Sequence, residues 1–172
     1  MLDEPVVLAP YDAEWPIAAA AEIERLREVL GPCIVDCEHF GSTSVPGCEA
    51  KPIVDLLVGL VEWPVASDVR SRLAGLGYEH LGEAGVPGRI YFRKRGGQPA
   101  FNLAATRHGS DLWHDNLAIR DLLRRDPAMR MRYIDVKRAA LRSGKNMLLA
   151  YSEHKNPFMG ELLASARAKK PE

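Results

Sequence analysis

The segment Gly41-Ser42-Thr43-Ser44-Val45-Pro46-Gly47, followed by Lys51-Pro52-Ile53-Val54-Asp55, sets a turn of small residues, a lysine and a carboxylate close together. Backbone N–H groups and hydroxyls in such a turn are not screened by bulky side chains, the arrangement that cradles phosphate oxygens. Asp55 stands in the apolar run Ile53 to Val58, where an unpaired carboxylate is costly. It therefore needs a cation or a hydrogen-bond network. Lys51, four residues earlier, can pair with it or reach a ligand phosphate as a point charge. Phosphoryl or nucleotidyl transfer suits this set, because that chemistry asks for metal-held phosphates, neutralised charge and an aligned attacking group. The corresponding expectation is Mg²⁺ or Mn²⁺ held through Asp55, with Asp55 and Lys51 as catalytic groups and Gly41, Ser42, Thr43 and Ser44 around the phosphates. Serines that cap local backbone are the alternative reading of the turn.

The elements that must position these residues follow from periodicity. Asp12 caps a helix whose apolar residues Ile17, Ala20, Ile23, Leu26, Val29 and Leu30 recur on one face, and Gly31-Pro32 stops it. Cys33 to Phe40 and Ile53 to Leu60 read as strands on either side of the turn. A helix from Ser67 or nearby Pro64 buries Val69, Leu73 and Leu76 and ends at Gly75-Leu76-Gly77. Three further strands, Tyr78 to Leu81, Ile90 to Lys94 and Phe101 to Ala105, are separated by Gly- and Pro-rich hairpin loops. The remainder reads as helices: Leu112 to Arg125 capped by Asp111, one opened by Asp126-Pro127 and running to about Leu141, and one opened by Asn156-Pro157 and running to about Lys169. This order predicts a single α+β domain over residues 1–172, with a mixed sheet, helices on one side and a helical C-terminal part.

The stretch Glu38-His39-Phe40-Gly41-Ser42-Thr43-Ser44-Val45-Pro46-Gly47 with Lys51-Pro52-Ile53-Val54-Asp55 resembles the signature of the GrpB family. Pro10-Tyr11-Asp12-Ala13-Glu14-Trp15-Pro16, Leu117-Ala118-Ile119-Arg120-Asp121-Leu122-Leu123-Arg124 and Tyr151-Ser152-Glu153-His154-Lys155 resemble its opening, its central helix and its closing helix. The resemblance implies a nucleotidyltransferase-like fold and a link to coenzyme A synthesis, since similar domains occur fused to dephospho-coenzyme A kinase. It also brings His114, Arg120, Tyr151 and Lys155 to the cleft as matches to family positions. Nucleotidyltransferases carry a Gly-Ser turn, two carboxylates one residue apart on the next strand and a third on a later strand. Here Gly41-Ser42 and Asp55 are present, but the second carboxylate position is Leu57. On the later strand, Asn102 and Ala104 stand where the family pattern usually has histidines, which makes Asn102 a candidate ligand-binding residue. Asp36 and Glu38 share one face of the first strand and are candidates for a further carboxylate at the mouth.

Alternation puts Arg93 and Arg95 on one strand face and Lys94 on the other, so Arg93 is a candidate phosphate clamp; a basic edge strand explains the run equally well. His39 adjoins the turn and can orient it. Cys33, Cys37, Cys48 and His39 do not read as a zinc site, because Cys33 and Cys37 on one strand stand about 13 Å apart. Three cysteines, no apolar stretch of about 20 residues and no signal-peptide pattern at Met1-Leu2-Asp3-Glu4-Pro5 point to a cytoplasmic protein without a membrane role. The net charge is zero, yet residues 1–86 hold 15 acids and 5 bases while residues 87–172 hold 8 acids and 18 bases. That asymmetry fits either one half neutralising the other or a division between cation and anion handling. The basic helices, with Arg124, Arg125, Arg130, Arg132, Lys137, Arg138 and Arg142, scatter their charge around the axis, so they read as solvated faces and nucleic acid is not an expected partner. The expected partner is a nucleotide or other phosphate-bearing small molecule. Either a nucleotidyl or phosphoryl group is transferred to a small acceptor, or the chain is a non-catalytic ligand-binding or interaction module linked to coenzyme A metabolism.

Overall fold

A computed structural model describes residues 3–168, so the expectations that touch Met1, Leu2 and Lys169 lie outside the described residues. Helix α1 (Glu14–Leu30) begins where the Asp12 carboxylate accepts from the Glu14 N–H at 2.9 Å. Its buried face is Trp15, Ala19, Glu22, Leu26 and Leu30, rotated from the expected stripe, and Ile17 is exposed. The rotation follows from Glu22. Its buried carboxylate accepts from the Tyr78 hydroxyl at 3.0 Å and from Lys94 Nζ at 2.9 Å, a pairing that offsets the cost of burying a charge.

The strands are β1 (Ile34–Phe40), β2 (Ile53–Leu60), β3 (Glu79–His80), β4 (Ile90–Lys94) and β5 (Ala100–Arg107), with α2 (Ser67–Gly75) between β2 and β3. They form one sheet in the order β1-β2-β5-β4-β3. β2 and β5 run parallel at its centre and every other pair is antiparallel. Period-two alternation sorts the central strands cleanly. Val54, Leu56 and Val58, with Leu103 and Ala105 beside them, face α1 and α2 and form the main core. Asp55 and Leu57, with Asn102 and Ala104 beside them, face the other way.

The C-terminal helices α3 (Asp111–Arg125), α4 (Pro127–Arg142) and α5 (Leu148–Ala168) serve that second face. Trp113 of α3 packs with Leu57 and Ala104, and Phe40 and Leu117 close the cluster. Helices on one side thus describes α1 and α2, while the helical C-terminal part lies over the opposite face. Ser110, not Asp111, caps α3 by accepting from the Trp113 N–H at 3.3 Å, and Asp126 caps α4 through the Met129 N–H at 2.9 Å.

The last helix departs most from expectation. α5 starts at Leu148, eight residues before Asn156, and continues through Pro157. A proline inside a helix costs about 3 kcal/mol. Here the first turn is pinned from outside: Leu148 N–H donates to the Glu4 carbonyl at 2.9 Å, Leu149 N–H donates to the Asp3 carboxylate at 3.0 Å, and Tyr151 is buried. Tertiary anchoring therefore sets the start, and the helix carries Tyr151 and Lys155 as one rigid face.

Leu103, fully buried on β5, tests the central layer. Leu103→Ala is expected to lower the unfolding free energy by about 2–5 kcal/mol, read as a lower urea midpoint with unchanged slope.

Candidate anion-binding site

A cavity of about 550 Å³ opens between the second sheet face, the Gly41 turn and the start of α5. Its floor is Asp55. Asn102, the register partner of Asp55 on β5, donates from Nδ2 to Asp55 Oδ1 at 2.7 Å. Arg95 in turn donates to Asn102 Oδ1 at 3.0 Å and holds Glu4 through two contacts, at 2.7 and 3.1 Å. A chain of charge-assisted bonds thus runs Glu4, Arg95, Asn102, Asp55 and fixes the amide with its N–H toward the carboxylate. From the other side Gly41 presses on Asp55. It has φ +69°, and a Cβ there would lie 2.5 Å from Asp55 Oδ2, so only glycine lets the turn approach the carboxylate this closely.

The hydroxyls of the turn divide by role. Ser44 donates to the Gly41 carbonyl at 2.7 Å, the local capping alternative. Thr43 Oγ1 shares a 2.9 Å hydrogen bond with His39 Nε2. Burial, with Arg124 and Arg120 adding to it, lowers the His39 pKa to about 4, so at neutral pH His39 is an uncharged brace beneath the turn. Ser42 points elsewhere. Its hydroxyl accepts from Lys137 Nζ at 3.3 Å and donates to the Tyr133 oxygen at 3.2 Å, which leaves the Tyr133 O–H to donate onward.

Lys137 is the residue sequence reasoning missed. It is 1% exposed, its ammonium lies 4.4 Å from the Tyr133 ring centroid, and its other bonds go to the Glu49 carbonyl and Cys48 Sγ. The Glu49 carboxylate is bonded to Arg138, so Lys137 acts on it through space and not as a direct ion pair. The basic run on α4 suggested a solvated face, but Tyr133, Ile134, Lys137 and Ala140 recur at helical spacing on the buried side. That periodicity was the available signal.

Lys51 and Lys155 complete the wall. Burial lowers the pKa of both, to about 8 for Lys155, while Asp55 acts in the opposite direction on each. Burial also raises Asp55 above its ordinary value, against the pull of Lys51, Asn102, Lys155 and Arg95. Among the described residues neither ammonium closes an ion pair; Lys155 lies 4.4 Å from the Tyr151 ring centroid. Arg89 also lines the cavity, with its Nε buried and without a hydrogen-bond partner.

Several expected residues lie elsewhere. Arg93 pairs with Glu79 at 2.7 Å away from the cavity, because the Arg95 side chain takes the inward place beside Asn102. Arg120 binds Glu38 at 2.7 Å and Asp121 at 2.8 Å, bracing β1 against α3. His114 is exposed on α3. Asp36 pairs with Arg27 at 3.0 Å, so neither Asp36 nor Glu38 adds a carboxylate to the mouth.

The donor set does not fit a resident Mg²⁺ or Mn²⁺. Such ions take six oxygens in octahedral array and are usually held by one or two carboxylates with waters and phosphates. A two-metal centre needs more carboxylates than the floor supplies. Asp55 has one oxygen committed to Asn102 and the other against Gly41, and its neighbours Leu57 and Ala104 are apolar. Among the described residues no group of three or more His, Cys, Asp or Glu is placed to hold a metal ion.

Two outcomes follow from this geometry. Gly41→Ala forces both a strained φ and a displaced Asp55, and is expected to cost roughly 1–3 kcal/mol, measured by chemical denaturation. Lys155 binds its proton more weakly in the folded chain, facing Asp55 and Cys48 with Lys51 nearby. The unfolded chain therefore holds more protons between about pH 8 and the ordinary lysine value of 10.5, and stability rises with pH across that window. Melting curves at pH 7 and 10 should show that gain in the wild type relative to Lys155→Met, with the variant the more stable of the two at pH 7.

Comparison with known proteins agrees with the architecture. The family model for the GrpB protein matches residues 5–165. Glutamate-rich protein GrpB of Alkalihalophilus pseudofirmus is 29% identical over 165 residues, 92% of this chain and 94% of that protein. UPF0157 protein YqkA of Bacillus subtilis is 30% identical over 149 residues, 87% of this chain but 43% of YqkA. A dephospho-CoA kinase of Mycolicibacterium paratuberculosis is 28% identical over 180 residues, 90% of this chain and 44% of the kinase. The chain thus spans less than half the length of the last two. The crystal structure of GrpB from Enterococcus faecalis superposes with a TM-score of 0.85 at 28% identity, covering 95% of this chain and 98% of that one. Cid1 poly(U) polymerase superposes at 0.53 with 21% identity, covering 78% and 44% of the two chains, and shares the nucleotidyltransferase-like fold. Both the sequence match and the superposition place this chain in the GrpB family.

Proposed function

We propose that the protein binds a nucleotide, or a comparable phosphate-bearing small molecule, in the cavity above Asp55. The observation that carries this reading is Lys137: a buried ammonium bonded to Ser42 that closes no ion pair among the described residues, lining the same cavity as Lys51, Lys155 and Arg89. Buried cations without counter-ions are costly, and a phosphate group arriving at the Ser42 turn supplies both the charge and the hydrogen-bond acceptors. Structures of Cid1 with a UTP analogue and of a trypanosomal terminal uridylyl transferase with dUTP show that this fold accommodates nucleoside triphosphates in those proteins. The relationship to a dephospho-CoA kinase makes coenzyme A precursors a second ligand class to try.

Binding without transfer fits the floor better than catalysis does. Asp55 remains, which favours a nucleotidyl or phosphoryl transfer reading, but Leu57 and Ala104 remove the acidic partners that such transfer uses to assemble metals and activate an acceptor. A role as an interaction module alone would leave the cationic cavity without a purpose.

A thermal-shift panel of nucleoside triphosphates, dephospho-coenzyme A and coenzyme A tests the reading. At about 100 times its dissociation constant a ligand adds roughly 2.7 kcal/mol, several degrees for a domain this size. A shift is expected for at least one phosphate-bearing ligand and is expected to shrink in Ser42→Ala and Lys137→Met. A flat panel in the wild type would overturn the proposal.

A further inference from the structure

The wall opposite Leu57 is built for charge that the floor lacks. Lys51 enters from the segment just before β2, where its carbonyl accepts from the Ile53 N–H at 2.7 Å and holds the backbone in place. Lys155 enters from α5, one helical turn after the buried Tyr151, on a helix whose first turn is tied to Asp3 and Glu4. Both lysines line the cavity whose floor is Asp55, and among the described residues neither closes an ion pair with it. Two cations thus share the cavity with one carboxylate whose hydrogen bond to Asn102 is already made.

On the other side of Asp55, where a second carboxylate would stand, Leu57 is 1% exposed in a cluster with Phe40, Ala104 and Trp113. A magnesium ion keeps several waters when it binds, and this apolar wall offers them no partners. The charge bookkeeping also closes without metal. Lys51, Lys155, Lys137 and Arg89, four cations, oppose the two carboxylates Asp55 and Glu153 on the cavity lining, a net positive site of the sign that a di- or triphosphate requires.

We propose that Lys51 and Lys155 stand in for the divalent metal, so that the cavity binds the di- or triphosphate group of its ligand without a metal ion. This rests on the reading of the cavity as a phosphate site. Asp55 then acts as the resting counter-ion of the two lysines, and an incoming phosphate displaces it from that part. Its negative charge opposes the ligand, the reverse of its part in a metal site, where it would hold the cation that the phosphates need.

The sign of that effect is measurable. Isothermal titration of inorganic tripolyphosphate and of ATP, in EDTA and in excess Mg²⁺, is run on the wild type, Asp55→Asn and Lys155→Gln, each first shown by its melting curve to be folded. Binding in EDTA at least as tight as in Mg²⁺ is expected, because free magnesium masks the charge the lysines read. Asp55→Asn is expected to tighten binding in EDTA several-fold, and Lys155→Gln to weaken it about tenfold or more. Binding that requires Mg²⁺ and is lost in Asp55→Asn would overturn the metal-free inference while leaving the phosphate site standing. No binding of either probe under either condition would overturn both.

Discussion

The contact on which the site depends is the meeting of Asp55 with Gly41 on one side and Asn102 on the other. β2 and β5 are parallel and in register, so Asn102 stands directly beside Asp55 and delivers an amide N–H at 2.7 Å. The glycine turn then closes over the carboxylate with no room for a Cβ. A buried carboxylate tolerates this only with its hydrogen bonds made and positive charge nearby. Those requirements reach far through the chain: Arg95 must hold Asn102, Glu4 must hold Arg95, and Glu4 also carries the carbonyl that anchors the first turn of α5. The N-terminal strap, the sheet and the last helix are thereby registered to one another through a single acidic side chain and its neighbours.

A second core ties the turn to the helices. Val45 and Cys48, which follow the Gly41 turn, are fully buried against Leu122, Tyr133, Ile134, Phe158 and Leu162 of α3, α4 and α5. The Gly41 turn is therefore not a free loop on the edge of a sheet. It is clamped between the sheet and the C-terminal helices, and this clamping brings Lys137 to Ser42. A backbone held on both sides is pre-organised, so a ligand need not order it on binding.

What was legible in the chain was whatever local pattern decides. The limits of β2 and β4, the placement of Asp55 on the face opposite Leu56, and the antiparallel pairing of β4 and β5 follow from alternation and turn residues. The presence of Lys51, Ser42, Thr43, Asn102, Tyr151 and Lys155 around one cavity was also anticipated, for Tyr151 and Lys155 through resemblance alone. What failed was set by distant partners. The start of α5 depends on Asp3 and Glu4, about 145 residues away in sequence; local rules read Asn156-Pro157 as a beginning because nothing nearby says otherwise. Arg93 and Arg95 share a strand face; Arg93 is drawn to Glu79 although it stands in register with Asn102, and it is Arg95 that bonds the Asn102 oxygen. Lys137 looked like one more surface cation because its neutral partners, Ser42 and the Glu49 carbonyl, lie 95 and 88 residues upstream.

Leu57 is more than a missing acid. On the sheet face that carries Asp55, its neighbours are Ala104 across the parallel pair, Phe40 at the end of β1, and Trp113 and Leu117 from α3. A carboxylate at this position would be buried among apolar groups, two residues from a carboxylate whose pKa burial already raises. The cost of like charges in a desolvated place is several kcal/mol unless metal arrives to bridge them. The apolar cluster and the two lysines therefore belong to the same solution. Once Leu57 seals α3 onto the sheet, the positive charge that a phosphate ligand requires has to come from the protein itself, and Lys51 and Lys155 are the groups the fold has brought within reach.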